Sequence, residues 1–286
     1  MKILLKLSNL CCLNALFLVL VLSACSTDEE VLAPESPELP PLETMVPDFS
    51  AFEGLRGQAS PDNGRSQNFL PNATVAYLNY VVWNTLLTID MALPVAAFSE
   101  SFNHDVTYDS DNNRWVWAYS IANGDDTFEA NLFASMSGDA VRWEMYASKT
   151  GDQSFEDVLW FKGTSSLDRK SGEWIIYKDA DAPRQHLLID WERNNDEVSI
   201  RFTSLDEAPE SRIPNGSYVE YGYQPEENYN FFYNLFFVQN NDLPADKLIE
   251  IRYNTDTKEG SIRSAQDFDS EGWNCWNSQF ENVECL

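Results

Sequence analysis

Asp109, Asp111 and Asn113 stand in D-x-D-x-N spacing, the opening of an EF-hand-type loop whose alternating oxygens converge on calcium. The loop glycine is missing, Arg114-Trp115 follow, and the twelfth position is Ser120 instead of an acid. A polar hairpin turn uses the same residues; Ca2+ is the only cofactor the sequence suggests, and weakly. His104 and His186 are the only histidines. Each could serve as a general base, but no G-x-S-x-G or Cys–His framework accompanies them. With 46 carboxylates in the chain, some pair always lies near another, so no glycosidase-type pair stands out. No catalytic residue is assigned. Aromatic side chains are the third resource, with 9 Trp, 12 Tyr and 17 Phe. Most serve a core, but a run at 229–237 is apolar on both strand faces, and Trp273 and Trp276 flank Cys275. Contact with a ligand or partner is expected at Trp273, Trp276, Tyr229, Phe231 and Tyr233.

The N-terminus says where such a domain would stand. Lys2 and Lys6 precede an apolar run from Cys11 to Leu22, the layout of an export signal. The run is too short for a comfortable membrane span, which needs about 20 apolar residues. It closes on Leu22-Ser23-Ala24-Cys25, which resembles the lipobox of bacterial lipoproteins. That resemblance implies a signal peptide over 1–24, a diacylated Cys25 thiol, cleavage before Cys25 and acylation of the new N-terminus. The acidic Ser26-Thr27-Asp28-Glu29-Glu30 that follows looks like the surface-export signal of Bacteroidota lipoproteins. It implies an outer-membrane anchor facing the cell surface, with a periplasm-facing anchor as the alternative. In an oxidising compartment, Cys275 and Cys285 are expected to form a disulfide around a small terminal loop.

The charge balance excludes some partners. The 19 basic residues less Lys2 and Lys6, set against 46 acidic ones, leave the mature chain near −29. Nucleic acid and anionic lipid surfaces both need a basic footprint that is absent. Residues 25–70 read as an acidic, proline-bearing tether, since Pro34, Pro37, Pro40 and Pro41 favour extended, solvated chain.

The elements that must position the candidates lie in 71–286, read as a single domain. Residues 72–102 predict one long helix, apolar all round and therefore buried on more than one side, with Pro94 kinking or ending its first segment. A membrane-inserted helix is the competing reading. From Asp105 onward the period becomes two. Trp115, Trp117, Tyr119 and Ile121 alternate, then Phe128, Ala130, Leu132 and Ala134, then Val141, Trp143, Met145 and Ala147. Further strands follow at 157–164, 173–178, 186–192, 197–204, 216–223, 230–238, 247–254 and 259–265. Short polar connections imply antiparallel neighbours. The expected fold is mostly β: an up-and-down meander of about eleven strands, forming a curved sheet or partly open barrel around one long apolar helix. Small inward residues, Ala130, Ala134, Ala147 and Gly163, leave room for that helix. The architecture loosely resembles the unclosed barrels of lipoprotein carriers and related lipid-binding proteins.

The expected function is that of a membrane-anchored, non-enzymatic lipoprotein. It would bind an apolar or amphiphilic ligand, or a partner protein of the cell envelope. A carbohydrate-binding accessory of a surface uptake system is the second reading, and a hydrolase using Asp/Glu carboxylates the third. The anchor is open to direct test. Cells expressing the chain should transfer labelled palmitate onto it, and Cys25→Ala should abolish the label; label that persists in the variant refutes the assignment to Cys25.

Overall fold

A computed structural model describes residues 33–47 and 71–285, apart from 125, 152, 209–212, 226, 242 and 269–270. The lipobox, Cys25 and most of the tether lie outside these residues. The chain falls into two compact units, Met1–Pro34 and Glu35–Leu286, and the elements below all belong to the second.

The helical stretch is two helices, α1 (Asn72–Asp90) and α2 (Ala92–Ser101), bent by 61°. This corrects the expectation of one long helix. Pro94 has no N–H to give to the Asp90 carbonyl, and its ring crowds that carbonyl. The chain therefore breaks one turn earlier, at Met91, and Pro94 sits in the first turn of α2, where a missing N–H costs nothing. At the other end of α1, the Asn72 N–H donates to Asn282 Oδ1 at 2.8 Å, and Asn72 Nδ2 donates to the Cys275 carbonyl at 2.9 Å. Both partners belong to the C-terminal loop. Cys275 and Cys285 are joined in a disulfide, with Cα atoms 5.3 Å apart, which closes that loop and holds Asn282 against the helix end.

Among the described residues fourteen strands follow, all antiparallel and paired in chain order. They are β1 (Thr107–Asp109), β2 (Arg114–Asn123), β3 (Asp126–Ser137), β4 (Ala140–Thr150), β5 (Phe155–Ser166), β6 (Ser171–Lys178) and β7 (Arg184–Asn194). Then come β8 (Glu197–Ser204), β9 (Tyr218–Tyr223), β10 (Phe231–Phe237), β11 (Lys247–Tyr253), β12 (Gly260–Arg263), β13 (Asn274–Trp276) and β14 (Asn282–Val283). The expected count of eleven was too low. Strands β2 to β12 occupy the stretches where period two is visible. The added β1, β13 and β14 are only 3, 3 and 2 residues long, too short to show a period.

The meander is open, since β1 pairs only with β2 and β14 only with β13 among the described residues. It must also curl. Laid flat, fourteen strands at about 4.8 Å spacing would span about 60 Å. The helices are only about 28 and 15 Å long. Yet α2 reaches β2 and β3, and α1 reaches β12 and β13. Phe98 of α2 packs edge-on against Phe161 of β5 and Trp174 of β6, and Trp83 of α1 meets the ring of Phe237 at the end of β10. Register shifts between β4 and β5 and between β6 and β7 sharpen the bend.

Inward residues build one core. Phe128, Ala130, Leu132 and Ala134 of β3, and Val141, Trp143, Met145 and Ala147 of β4, are buried while their neighbours face out. The space beneath the helices is occupied by side chains, including Trp83, Phe98, Trp143, Trp174, Phe202 and Tyr233. Gly163 is an inward position with no side chain. It sits in register between Trp143 and Trp174, and a Cβ there would lie 2.2 Å from the Glu173 carbonyl and 2.4 Å from the Trp174 ring. The Trp174 indole lies against the glycine and covers its bare backbone.

Two further expectations are corrected. Part of the stretch read as tether enters the core: Met45 is fully buried, and Trp174 Nε1 donates to Thr44 Oγ1 at 3.1 Å. The prolines of 34–41 extend this strap, while Leu39, Leu42 and Met45 anchor it. And α1 is buried on one side only. Leu78, Val82 and Ile89, with Leu93 of α2, are 46%, 47%, 70% and 46% exposed. No single helix among the described residues is long and apolar enough to cross a membrane; the bent pair meets that measure only when both helices are taken together.

Gly163→Ala should destabilise the domain by about 2 kcal/mol through overpacking. Gly138→Asn, at an open hairpin position with φ 63°, should stay within about 0.5 kcal/mol, because Asn tolerates that conformation. Urea midpoints of the two variants check the contrast; equal losses would mean that Gly163 is not pinned against Trp174 and the Glu173 carbonyl.

Candidate functional site

The inward faces of β7 to β10 carry the largest aromatic cluster. Tyr221 and Tyr233 oppose each other on β9 and β10, Phe202 of β8 lies diagonal to Tyr221, and the three rings stack in sequence, with centroids 6.2 and 5.5 Å apart. Phe231 lies beside them, 5.3 Å from Tyr233 and 6.5 Å from Tyr221, nearly coplanar with the latter. Rings spaced this way recur because inward positions alternate along each strand. Between the cluster and the strap lies a pocket of about 290 Å3, lined chiefly by Trp191, Val198, Ile200, Tyr221, Tyr223 and Phe231. Thr44 and Glu43 approach from the strap, and Arg193 stands at the rim. Trp191 is 3% exposed, and its indole N–H has no hydrogen-bond partner. A buried donor left unmet costs about 1–3 kcal/mol.

The expected contact residues divide. Phe231 lines this pocket. Tyr233 and Trp276 are core side chains at 0% and 1% exposure, and Trp276 Nε1 spends its proton on the Lys258 carbonyl. Neither has surface to offer, which corrects the expectation for both. Trp273 and Tyr229 lie outside the core, gathered on Arg252, whose guanidinium carbon is 3.6 Å from the Trp273 ring and 5.0 Å from Tyr229. Arg263 covers Trp273 as well, at 4.7 Å, and is itself held by Glu250. These rings already serve as cation–π partners.

The calcium-like loop is a hairpin turn between β1 and β2. Asp109 accepts from Asn112 and from Arg114 Nε, and Asn113, at φ 52°, takes the Tyr108 hydroxyl proton. The Asn112 side chain, against an opposing effect of burial and with help from Arg114, holds the Asp109 carboxyl below its usual range. Its oxygens are spent within the turn. Among the described residues no three His, Cys, Asp or Glu side chains are grouped to hold a metal ion.

The outer face carries a row that only register reveals. Thr164, Glu173, Asp190, Arg201, Glu220, Asn234, Glu250 and Arg263 are successive partners from β5 to β12. Glu220 takes Arg201 at 3.0 Å. Glu173 opposes Asp190, a like-charge pair. Burial raises the Asp190 carboxyl, and Arg201 offsets part of that. A shallow groove of about 480 Å3 runs over this stretch.

Each histidine has found a structural role. His104 stacks on Tyr119 at 4.8 Å and meets Glu100 at 3.1 Å. Burial pushes the Tyr119 phenol up to about 12, eased by a hydrogen bond from Ser101. His186 joins a cluster between helix and sheet. Its Nε2 lies 2.8 Å from Asp90 of α1, and its Nδ1 4.0 Å from Asp206. Asp206, whose side chain is 9% exposed, accepts from Lys178 at 2.7 Å, from Arg184 at 3.0 Å and from the Ala208 N–H at 3.2 Å. Burial alone would raise its carboxyl. The Lys178 hydrogen bond, the Ala208 N–H and the two cations outweigh burial and lower it to about 2.

Trp191, Tyr221 and the strap residues Glu43 and Thr44 were not foreseen as site residues. Alternation with Leu187 and Ile189 is the signal that could have placed Trp191 inward on β7, but nothing local marks the strap that roofs it. Comparison with protein-family models, curated proteins and solved structures finds no match to this chain.

Asp206 predicts a pH dependence. A carboxyl held near 2 in the fold, against an ordinary 3.8, stabilises the fold above the ordinary value and loses that contribution as pH falls through about 2. Asp206→Asn should therefore cost about 2 kcal/mol at neutral pH. The gap to the wild type should close between about pH 4 and pH 2, as read from urea unfolding at each pH. A gap that stays constant over that window would contradict the assignment.

Proposed function

We propose that this chain is a lipid-anchored protein of the cell envelope, tethered through Cys25 to the outer membrane and facing the cell surface, whose β domain binds an apolar or amphiphilic molecule without transforming it. The observation that carries this reading is the pocket between sheet and strap, whose wall is chiefly apolar. A ligand with an apolar body covers the aromatic wall of Trp191, Tyr221 and Phe231. Arg193 at the rim suits an anionic tail or head that stays in solvent. Because side chains fill the space beneath the helices, the ligand sits at the strap and not along the axis of the curl. A pocket of about 290 Å3 falls at the small end of ligand sites, which span roughly 300–1,000 Å3.

A glycan is the second reading, and the outer groove favours it. Hydroxyls and carboxylates of Thr164, Glu173, Asp190, Ser199 and Glu220 line that groove. The exposed rings that would stack on sugars count against it, since Arg252 and Arg263 lie on Trp273.

A dansyl-labelled medium-chain fatty acid tests the pocket by fluorescence. Trp191→Leu shortens the indole wall and should weaken binding about 5- to 10-fold. Phe231→Arg should abolish it. Binding unchanged in both variants would remove the pocket from consideration.

A further inference from the structure

We infer that the outer side of α1, with Leu93 of α2, is a second contact with the membrane and rests on a lipid surface of zwitterionic headgroups. The inference depends on the reading of Cys25 as lipidated, and it adds a non-covalent contact to the covalent anchor.

Leu78, Val82, Thr85 and Ile89 recur at i, i+4, i+7 and i+11, so they form one stripe along α1. All four are exposed, Ile89 most of all at 70%, and Leu93 is exposed just past the bend. The large apolar side chains exposed on the sheet, Met136, Leu167, Leu248 and Val283, stand singly on separate strands or turns. Single exposed residues need no explanation, but a stripe does. Charge is cleared from it. Between Asn72 and Ser101 the only charged side chains are Asp90 and Glu100, and each meets a histidine, at 2.8 and 3.1 Å. Lys247, which reaches Asn79 on the flank of α1, is held by Asp267 at 2.7 Å.

Three arguments select lipid as the occupant. The first is charge. The mature chain is near −29 and the stripe holds no cation, so an anionic surface or a second copy of the chain is repelled, whereas a zwitterionic surface is not. The second is area. Helices about 28 and 15 Å long and about 10 Å wide offer about 430 Å2 on one side. A standard protein interface needs about 800 Å2 per partner. An anchored chain needs less, because the anchor makes the second contact intramolecular. The third is reach. Glu38 of the strap pairs with Arg169 in the β5–β6 turn, and Asp90 of α1 pairs with His186 near the other end of the strands. Those ends are about 36 Å apart, the length of β7. Thirteen residues from Cys25 to Glu38 extend up to about 44 Å, enough for the acyl chains to enter the surface on which α1 rests.

The test uses the full-length chain in phosphatidylcholine vesicles, with an environment-sensitive dye on one added thiol. Val82→Cys places the dye on the stripe, and Met136→Cys places it at the far end of the strands. A doxyl quencher in the acyl chains should quench the dye at position 82 about threefold more than the dye at position 136, since interfacial helices sink about 5–10 Å into the headgroup boundary. Equal quenching overturns the proposal. A dye at position 82 that is shielded before lipid is added means that another segment of the chain covers the stripe, and dyes that quench each other between chains mean that a second copy does; either result overturns it too. The anchor is read separately, by repeating the quenching in Cys25→Ala. Lipid quenching at position 82 in a chain shown to carry no acyl group keeps the contact and refutes the anchor. An acylated chain whose dye stays unquenched keeps the anchor and refutes the contact.

Discussion

The structure depends on how an antiparallel meander closes around a helix pair too small for it. Each strand pairs only with its chain neighbours, so pairing alone gives a ribbon with two free edges. Its inward face would remain wet unless something covers it. Here α1, α2 and the strap supply the cover, and they can do so only if the sheet curls until distant strands reach the same helices. The curl brings bulky inward rings close together, and Gly163 relieves the crowding by letting Trp174 approach its backbone. Burial of aromatic area and curvature of the sheet are thus one constraint seen from two sides.

Two cavities open where that cover ends. The strap crosses the inward face of β7 to β10 without filling it, and leaves the pocket walled by Trp191 and Phe231. The last turns of α1 lie over β6 to β8 but meet them through an ionic cluster instead of packed side chains, and leave the second cavity. Trp83 and Trp191, each lining one of them, keep an indole N–H with no partner, which a core selected only for stability would avoid. The tight interior elsewhere makes these two places the soft points of the domain. The disulfide loop acts at the far end of α1, where Asn282 and the Cys275 carbonyl satisfy groups of Asn72 that helix geometry leaves open.

Much of the fold is written locally. Period two marks β2 to β12 because one face of each strand is wet and the other dry, and short polar turns enforce antiparallel order. What is not local was not legible. Strands of two or three residues carry no period. The helix break falls at Met91, inside an apolar run whose composition does not change there. The strap is rich in proline, and composition outweighed the few residues, Leu42 and Met45, that dock it. The second wet face of α1 is illegible for the opposite reason: an apolar surface reads as buried whether or not the chain provides a cover for it. At the sites, the aromatic run at 229–237 was visible, but alternation divides its residues between pocket, core and outer face. The polar row from Thr164 to Arg263 exists only once register is known.

Native-state hydrogen exchange measures the central claim directly, because it reports which segments open together. If the helices are the core of the curled sheet, the amides of α1 and α2 should exchange only through the same global opening as β4 to β7, with matching protection free energies and the same denaturant dependence. Helices that exchange far faster than those strands, in an independent opening, would contradict the account and leave a sheet that stands without its cover.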